Sequence, residues 1–409
     1  MLRDLSDYPN DTIEAMFVRL ANDTHADKID LGIGVFRDDS GNVPVMQAVR
    51  RAERRLIGRD RSKSYLSPLG NIDYCRRVES LVLGADHPVL SGGRIVSAQT
   101  PGAGAALRAA AELVHGVSPG SAVWVSTPVW GHQIEFFEQA GMAVRTYRYY
   151  DRRGRNLDAE GMLEDLRSMR AGDVLLLHGC CHNPTGQDLS LDLWQAVAEV
   201  VVEVGAIPFV DVAYQGFGQG IEEDAEGVQR LAASVPEMLL TVSSSKSFGV
   251  YRDRAGLLSI ILPPDSGNAG AVRRKLRDTL RQLYFMAPDH GAAIVHEILS
   301  TPELDALWRA ELDAVRDRII ALRAELRMTI ERANPGFDAG FIERQHGMFS
   351  CLPISHEEQL LMERQFHIYM LPPARVNVAA MNREQSRTLA EAFAWIRAQR
   401  GTARADAVA

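Results

Sequence analysis

Five short apolar runs constrain this chain more than anything else in it. They are Ala122–Val125, Val174–Leu177, Ile207–Val210, Met238–Val242 and Leu257–Leu262, each bounded by Gly, Pro or polar residues. Their hydrophobicity is continuous rather than alternating. A strand facing water on one side alternates, whereas a strand covered on both faces does not. Helical patterns lie between some of the runs, as in Ala103–Val114 and Leu193–Val204. Strand and helix in alternation predict an α/β domain with a mostly parallel sheet flanked by helices.

A second pattern follows. Thr301-Pro302-Glu303 opens a long amphipathic stretch with apolar residues at Leu304, Leu307, Trp308, Leu312, Val315, Ile319, Leu322, Leu326 and Ile330, and Asn334-Pro335-Gly336 stops it. A helix of that length can lead from a large domain into a smaller α/β one. Strand-like pieces follow around Gly347–Leu352 and Arg375–Ala379, then a helix from about Arg383 to Arg397 and a loose tail after Gly401. With 409 residues, one small core does not suffice. The expected division is residues 1–45 as an N-terminal arm and part of the small domain, 46–310 as the large domain, and 311–409 as the small one. The N-terminal part either folds with the C-terminal domain or reaches across to a neighbour.

Composition narrows the function classes. A net charge of −8 argues against a nucleic-acid surface, and the local run Arg50, Arg51, Arg54 and Arg55 reads as a solvated helix face. Cys75, Cys180, Cys181 and Cys351 form no CxxC pair and no cluster with metal spacing, so buried thiols, no metal site and a reducing, cytoplasmic compartment are expected. Met1–Asn10 is polar and carries Arg3, Asp4 and Asp7, unlike a signal peptide. No run has the length of a membrane span.

The chemistry gathers after three of the apolar runs, where open α/β sheets bind ligands. His178-Gly179-Cys180-Cys181-His182-Asn183-Pro184-Thr185-Gly186 follows the second run, Asp211-Val212-Ala213-Tyr214 the third, and Ser243-Ser244-Ser245-Lys246-Ser247-Phe248-Gly249 the fourth. Taken singly, these are a turn, a helix cap and a surface lysine. The intervening Gly and the following Pro oppose a helical metal site at His178 and His182. As a set continued to Arg254, and in order from Leu31-Gly32-Ile33-Gly34-Val35 to Arg375-Val376-Asn377-Val378, the segments resemble the aspartate/aromatic aminotransferase family. Its members are enzymes of fold type I that use pyridoxal 5′-phosphate (PLP).

The resemblance implies roles. Lys246 would carry PLP as an internal aldimine and shuttle a proton between Cα and C4′. Asp211 would pair with the pyridine nitrogen, and Asn183 and Tyr214 would donate to the ring phenolate. Ser243, Ser245 and Arg254 would hold the phosphate with the Gly102 and Ala103 N–H groups at a helix start, where anions bind well. Trp130 would stack on the ring. Tyr65 would reach the phosphate of a second subunit, which implies a homodimer with shared active sites. Substrates would be bound by Gly34, Trp130, Asn183, Arg375 (the α-carboxylate) and Arg281 (a distal carboxylate, from the partner). Arg277 and Arg281 also fit a solvated helix face.

The implied reaction is ping-pong transfer of an amino group from an aromatic or dicarboxylic L-amino acid to 2-oxoglutarate. Alternatives are another PLP activity, such as β-elimination or decarboxylation, or a non-catalytic regulator. The latter would carry an added DNA-binding domain; with the resemblance starting near residue 30 and an acidic net charge, none is expected. A nicotinamide dehydrogenase is disfavoured because Leu107 stands where the third glycine of its fingerprint belongs.

Three positions depart from the family pattern. Gly104 stands where a hydroxyl on the phosphate is common, and Gln133 where a histidine usually supports the pyridine-bound aspartate. Tyr284-Phe285-Met286-Ala287-Pro288 replaces a more polar segment. That apolar segment tilts the expectation toward aromatic donors. Yet burying a Phe-sized side chain and making a charge-assisted arginine–carboxylate bond are each worth roughly 1.5–3 kcal/mol, so they do not rank the substrates.

Overall fold

The computed structural model describes residues 12–59 and 62–406, with side chains described to residue 400. Met1–Asn10 therefore lies outside the described residues. Two compact units emerge. One comprises the described residues up to Val43, Pro184–Gly186 and Arg318 onward; the other comprises Pro44–Asn183 and Gln187–Asp317.

The second unit is built on a seven-stranded sheet. In chain order its strands are β1 (Ile95–Thr100), β2 (Ala122–Thr127), β3 (Ala143–Arg148), β4 (Val174–His178), β5 (Ile207–Val212), β6 (Met238–Ser243) and β7 (Gly256–Ile261). Their spatial order is β1-β7-β6-β5-β4-β2-β3. Only β7 runs antiparallel to its neighbours, β1 and β6. The five expected runs are β2, β4, β5, β6 and β7, and β6 and β7 are buried at every position. Side chains on one face pack with Ala106, Leu107 and Ala110 from the helix Ala103–Val117 and with Leu276 and Leu280 from the helix Ala269–Leu283. The arginines at 50, 51, 54 and 55 are exposed on the helix Gln47–Arg59, which buries Ala48, Val49, Ala52 and Leu56.

The first unit gathers the N-terminal and C-terminal parts of the described residues. Ile29–Asp30 pairs in parallel with Ile368–Tyr369, and Phe349–Cys351 pairs antiparallel with Arg375–Asn377. Leu326, Ile330, Phe341, Val376 and Phe393 share its core. The long helix spans Pro302–Ala333, and the boundary between the units falls within it. The last helix runs over Arg383–Asp406, so the expected loose tail after Gly401 is instead helical to Asp406. Ala392, Phe393 and Ile396 are buried in this unit's core, and the anchored helix continues past them.

Among the described residues, no helix is long and apolar enough to cross a membrane. All four cysteines are buried and none forms a disulfide. The ligand atoms of Cys180, Cys181 and Asp224 lie within 4.8 Å of one another, a grouping that sequence spacing did not indicate. Asp224 is already engaged there, because its carboxylate accepts the backbone N–H groups of Gly216, Gly218 and Gln219. Burial pushes the Cys181 thiol well above its ordinary range, away from the thiolate a metal needs.

Candidate active site

Side chains on both sides of Lys246 anchor its loop. Ser244 Oγ meets Tyr74 OH at 2.8 Å, and Ser247 Oγ donates to the Gln215 carbonyl at 2.7 Å. Trp308 Nε1 donates to the Ser247 carbonyl at 2.8 Å, and its ring stacks on Phe248 at 4.4 Å. These anchors hold the loop at the end of β6, where it projects the half-buried Lys246. Its Nζ lies 5.0 Å from the centre of the Tyr214 ring.

Asp211 sits near the end of β5, opposite His178 of β4. It is buried, and burial raises its carboxyl to about 6, against opposing pulls from Lys246 and the Gln133 hydrogen bond. Oδ2 accepts Gln133 Nε2 at 2.7 Å, whereas Oδ1 is buried and has no hydrogen-bond partner. A buried carboxylate oxygen left in that state is costly unless a cationic donor meets it.

Behind Asp211 runs a hydrogen-bond chain of fixed polarity. The Asn183 backbone N–H donates to His178 Nδ1 at 3.2 Å, so His178 carries its proton on Nε2 and donates to Gln133 Oε1 at 3.0 Å. The Gln133 amide nitrogen is thereby turned toward Asp211. Burial lowers His178 to about 4, which keeps the imidazole neutral near pH 7. The position where the family usually places a histidine is thus filled by an amide that cannot itself titrate.

The phosphate residues converge as well. Gly102 adopts φ +83° before the helix Ala103–Val117, and no side chain caps that helix end. A Cβ at Gly102 would run into the Arg254 guanidinium and displace it from this position, and the positive φ also favours glycine. Arg254 Nη1 reaches Ser245 Oγ at 3.3 Å and Nη2 reaches the Pro101 carbonyl at 3.3 Å. Ser243 Oγ accepts the Ser245 N–H at 3.3 Å. Backbone donors, two hydroxyls and one guanidinium thus surround a spot suited to a phosphate. A Cβ at Gly104 would stand 3.1 Å from the Phe136 ring, so a larger residue there would require the ring to shift. Trp130 makes edge contacts with His132 and Phe136.

A partnerless carboxylate oxygen, a nearby amine and a phosphate cradle together fit PLP. They would meet its pyridinium, aldehyde and phosphate respectively. Asn183 and Tyr214, both buried, stand on the loops after β4 and β5.

The other expected residues fall into two groups. In the first unit, Arg375 is 5% exposed, donates from Nη2 to the Gly32 carbonyl at 2.6 Å and lies 4.1 Å over the Phe349 ring. A Cβ at Gly34 would touch that same ring at 3.1 Å, so Gly34 and Arg375 flank Phe349. In the second unit, Arg281 is exposed near the end of the helix Ala269–Leu283, and Tyr65 is 85% exposed against Phe285. Sequence reasoning gave no role to His178, Phe136 or Phe349. Their contacts join segments far apart in the chain, and only His178 lay within a recognised block.

Residues 26–393 match the family model for aminotransferase class I and II. The aromatic-amino-acid aminotransferase of Paracoccus denitrificans is 39% identical over 393 residues, covering 96% of this chain and 99% of that protein. The aspartate aminotransferase of Escherichia coli (strain K12) is 37% identical with the same coverage. The crystal structure of the aromatic-amino-acid aminotransferase from Burkholderia pseudomallei, covalently bound to pyridoxal phosphate, superposes with a TM-score of 0.91 at 37% identity. That match covers 96% of this chain and 99% of the other. With the family model spanning most of the chain and relatives above one-third identity along nearly their whole lengths, this protein belongs to the class I and II aminotransferases, which use PLP.

Proposed function

We propose that the protein transfers the amino group of an aromatic or dicarboxylic L-amino acid to 2-oxoglutarate in two half-reactions, with Lys246 as the residue that carries the cofactor. One observation carries the site assignment: the buried, partnerless Asp211 Oδ1 in the electrostatic reach of Lys246. When bound, PLP supplies an aldehyde that takes up the amino group and a cationic ring that accepts electrons from the substrate Cα. Asp211 Oδ1 holds the proton on the ring nitrogen. Asn183 and Tyr214 would donate to the ring phenolate oxygen, and Trp130 would stack on the ring. Lys246 Nζ would be the base that takes the proton from the substrate Cα and gives it back to the cofactor side. Ser243, Ser245 and Arg254, with the N–H groups of Gly102 and Ala103, bind the phosphate.

Arg375 takes the α-carboxylate that donor and acceptor share, beside Gly34. Arg281 takes the distal carboxylate of dicarboxylic substrates. Because 2-oxoglutarate has two carboxylates, at least one half-reaction needs both arginines. Arg281 and Tyr65 act from a second subunit, and the exposed Tyr65, Phe285 and Ile57 give a homodimer apolar surface to cover. A cytoplasmic location is supported by four cysteines without a disulfide.

The test is a panel of amino donors against 2-oxoglutarate, read by glutamate formation and repeated with Arg281→Leu. Glutamate should form with phenylalanine, tyrosine or aspartate. Loss of Arg281 should cost dicarboxylates about 10- to 100-fold in kcat/KM, the size of a lost charge-assisted bond, and aromatic donors much less. If no donor yields glutamate, the reading is wrong. If both donor classes lose equally, Arg281 does not bind the distal carboxylate.

A further inference from the structure

Phe285 is the anomaly of the helix Ala269–Leu283. Its N–H and that of Tyr284 both donate to the Leu280 carbonyl, closing the helix, and Phe285 takes φ +68°. That left-handed position suits Gly or Asn, and for a bulky residue it is a strained outlier. Tyr284 packs inward against the sheet core, while Phe285 turns outward and remains 52% exposed. Its contact is an edge-on pair with Tyr65 at 5.8 Å between ring centres, and Tyr65 is itself 85% exposed. Neither ring belongs to the chain's own core, so folding does not account for the strain. Strain of this kind persists where a ligand or a partner uses the residue. Arg281 lies one helical turn earlier, on the exposed end of the same helix.

We infer that Phe285, propped on Tyr65, is a specificity residue that forms an aromatic wall for the ring of an aromatic amino donor, next to the arginine that takes carboxylates. The inference rests on the aminotransferase reading, in which Arg281 reaches the partner's substrate and Tyr65 the partner's cofactor phosphate. Aromatic rings prefer an edge-to-face approach with centres 4.5–7 Å apart. An aliphatic carboxylate has no ring to make that contact, so removing Phe285 should change discrimination between the two classes.

The test uses the holoenzyme with Phe285→Gly, Phe285→Leu and Phe285→Tyr. Two ratios are measured. One is kcat/KM for phenylalanine over that for aspartate; the other is the Kd of 3-phenylpropionate over that of succinate, from titrations of the cofactor absorption. In Phe285→Gly the first ratio should fall about tenfold and the second should rise about tenfold. Phe285→Leu should move both in the same directions, and Phe285→Tyr should keep both near wild type. Melting of the cofactor-free protein should rise by about 2 °C in Phe285→Gly, because glycine accepts the left-handed backbone.

Unchanged ratios in both the Gly and Leu variants would overturn the inference. So would equal losses for both ligand classes with subunit dissociation in sedimentation, which would make the pair an interface contact alone. Wild-type protein that forms no glutamate would instead overturn the aminotransferase reading on which the inference rests.

Discussion

Lys246→Ala is expected to lower transamination by at least about 10⁴-fold, because one side chain holds two roles. In the proposed reaction it carries the cofactor and moves the proton between two carbons, and a positioned acid–base group alone is worth about 10²–10⁴-fold. The loss should be chemical and not structural. Tyr74 on Ser244, Gln215 on Ser247, and Trp308 on Ser247 and Phe248 anchor the loop through residues other than 246, and these contacts survive the substitution. The variant should therefore keep these contacts and remain folded, as its circular dichroism would show. Borohydride reduction of wild-type holoenzyme should leave a pyridoxyl group on the peptide containing Lys246, and the variant should carry none. Activity above one-hundredth of wild type, or a label on another lysine, would refute the assignment.

The sheet was legible where both of its faces are covered. β4, β5 and β6 read as unbroken apolar runs because helices leave no side for polar residues, and the residues at their ends carried the chemistry. β1 and β3 were not anticipated, for different reasons. β1 buries Gln99 and Thr100, and its Ser97 meets Glu79, so a strand with polar residues inside lacks an apolar signature. β3 lies at the sheet edge with Ala143, Arg145 and Thr146 exposed. The site divides in the same way. Lys246 and Asn183 follow strands, Asp211 sits near the end of one, and all three could be read from local blocks. The Phe136 ring against Gly104 and the link from His178 through Gln133 to Asp211 arise from packing between distant segments, which no local pattern encodes.

That link decides what Asp211→Asn should do. The Asn183 N–H fixes His178, His178 fixes the Gln133 carbonyl, and the Gln133 amide must therefore donate. An asparagine at 211 has to turn its carbonyl to Gln133 and its NH₂ toward the ring nitrogen. A donor in that place favours an unprotonated pyridine, which is a weaker electron acceptor. The expected loss is about 10²–10³-fold in kcat, comparable with removing one preorganised electrostatic group.

Stability of the cofactor-free protein should move the other way. Burial raises the folded-state carboxyl of Asp211 from its ordinary value near 4 to about 6. Between those values the folded chain binds a proton that the unfolded chain has released, so stability falls as pH rises through this window, by about 3 kcal/mol in all. Asparagine has no such titration. The stability of apo Asp211→Asn relative to apo wild type, from denaturant unfolding, should therefore improve by about that amount between pH 4 and pH 7 and then level off. Binding of a pyridinium ring to Asp211 should abolish the gain in the holoenzyme. A difference between the two apoproteins that does not change with pH would mean that this carboxylate is not held out of water for a cationic ring.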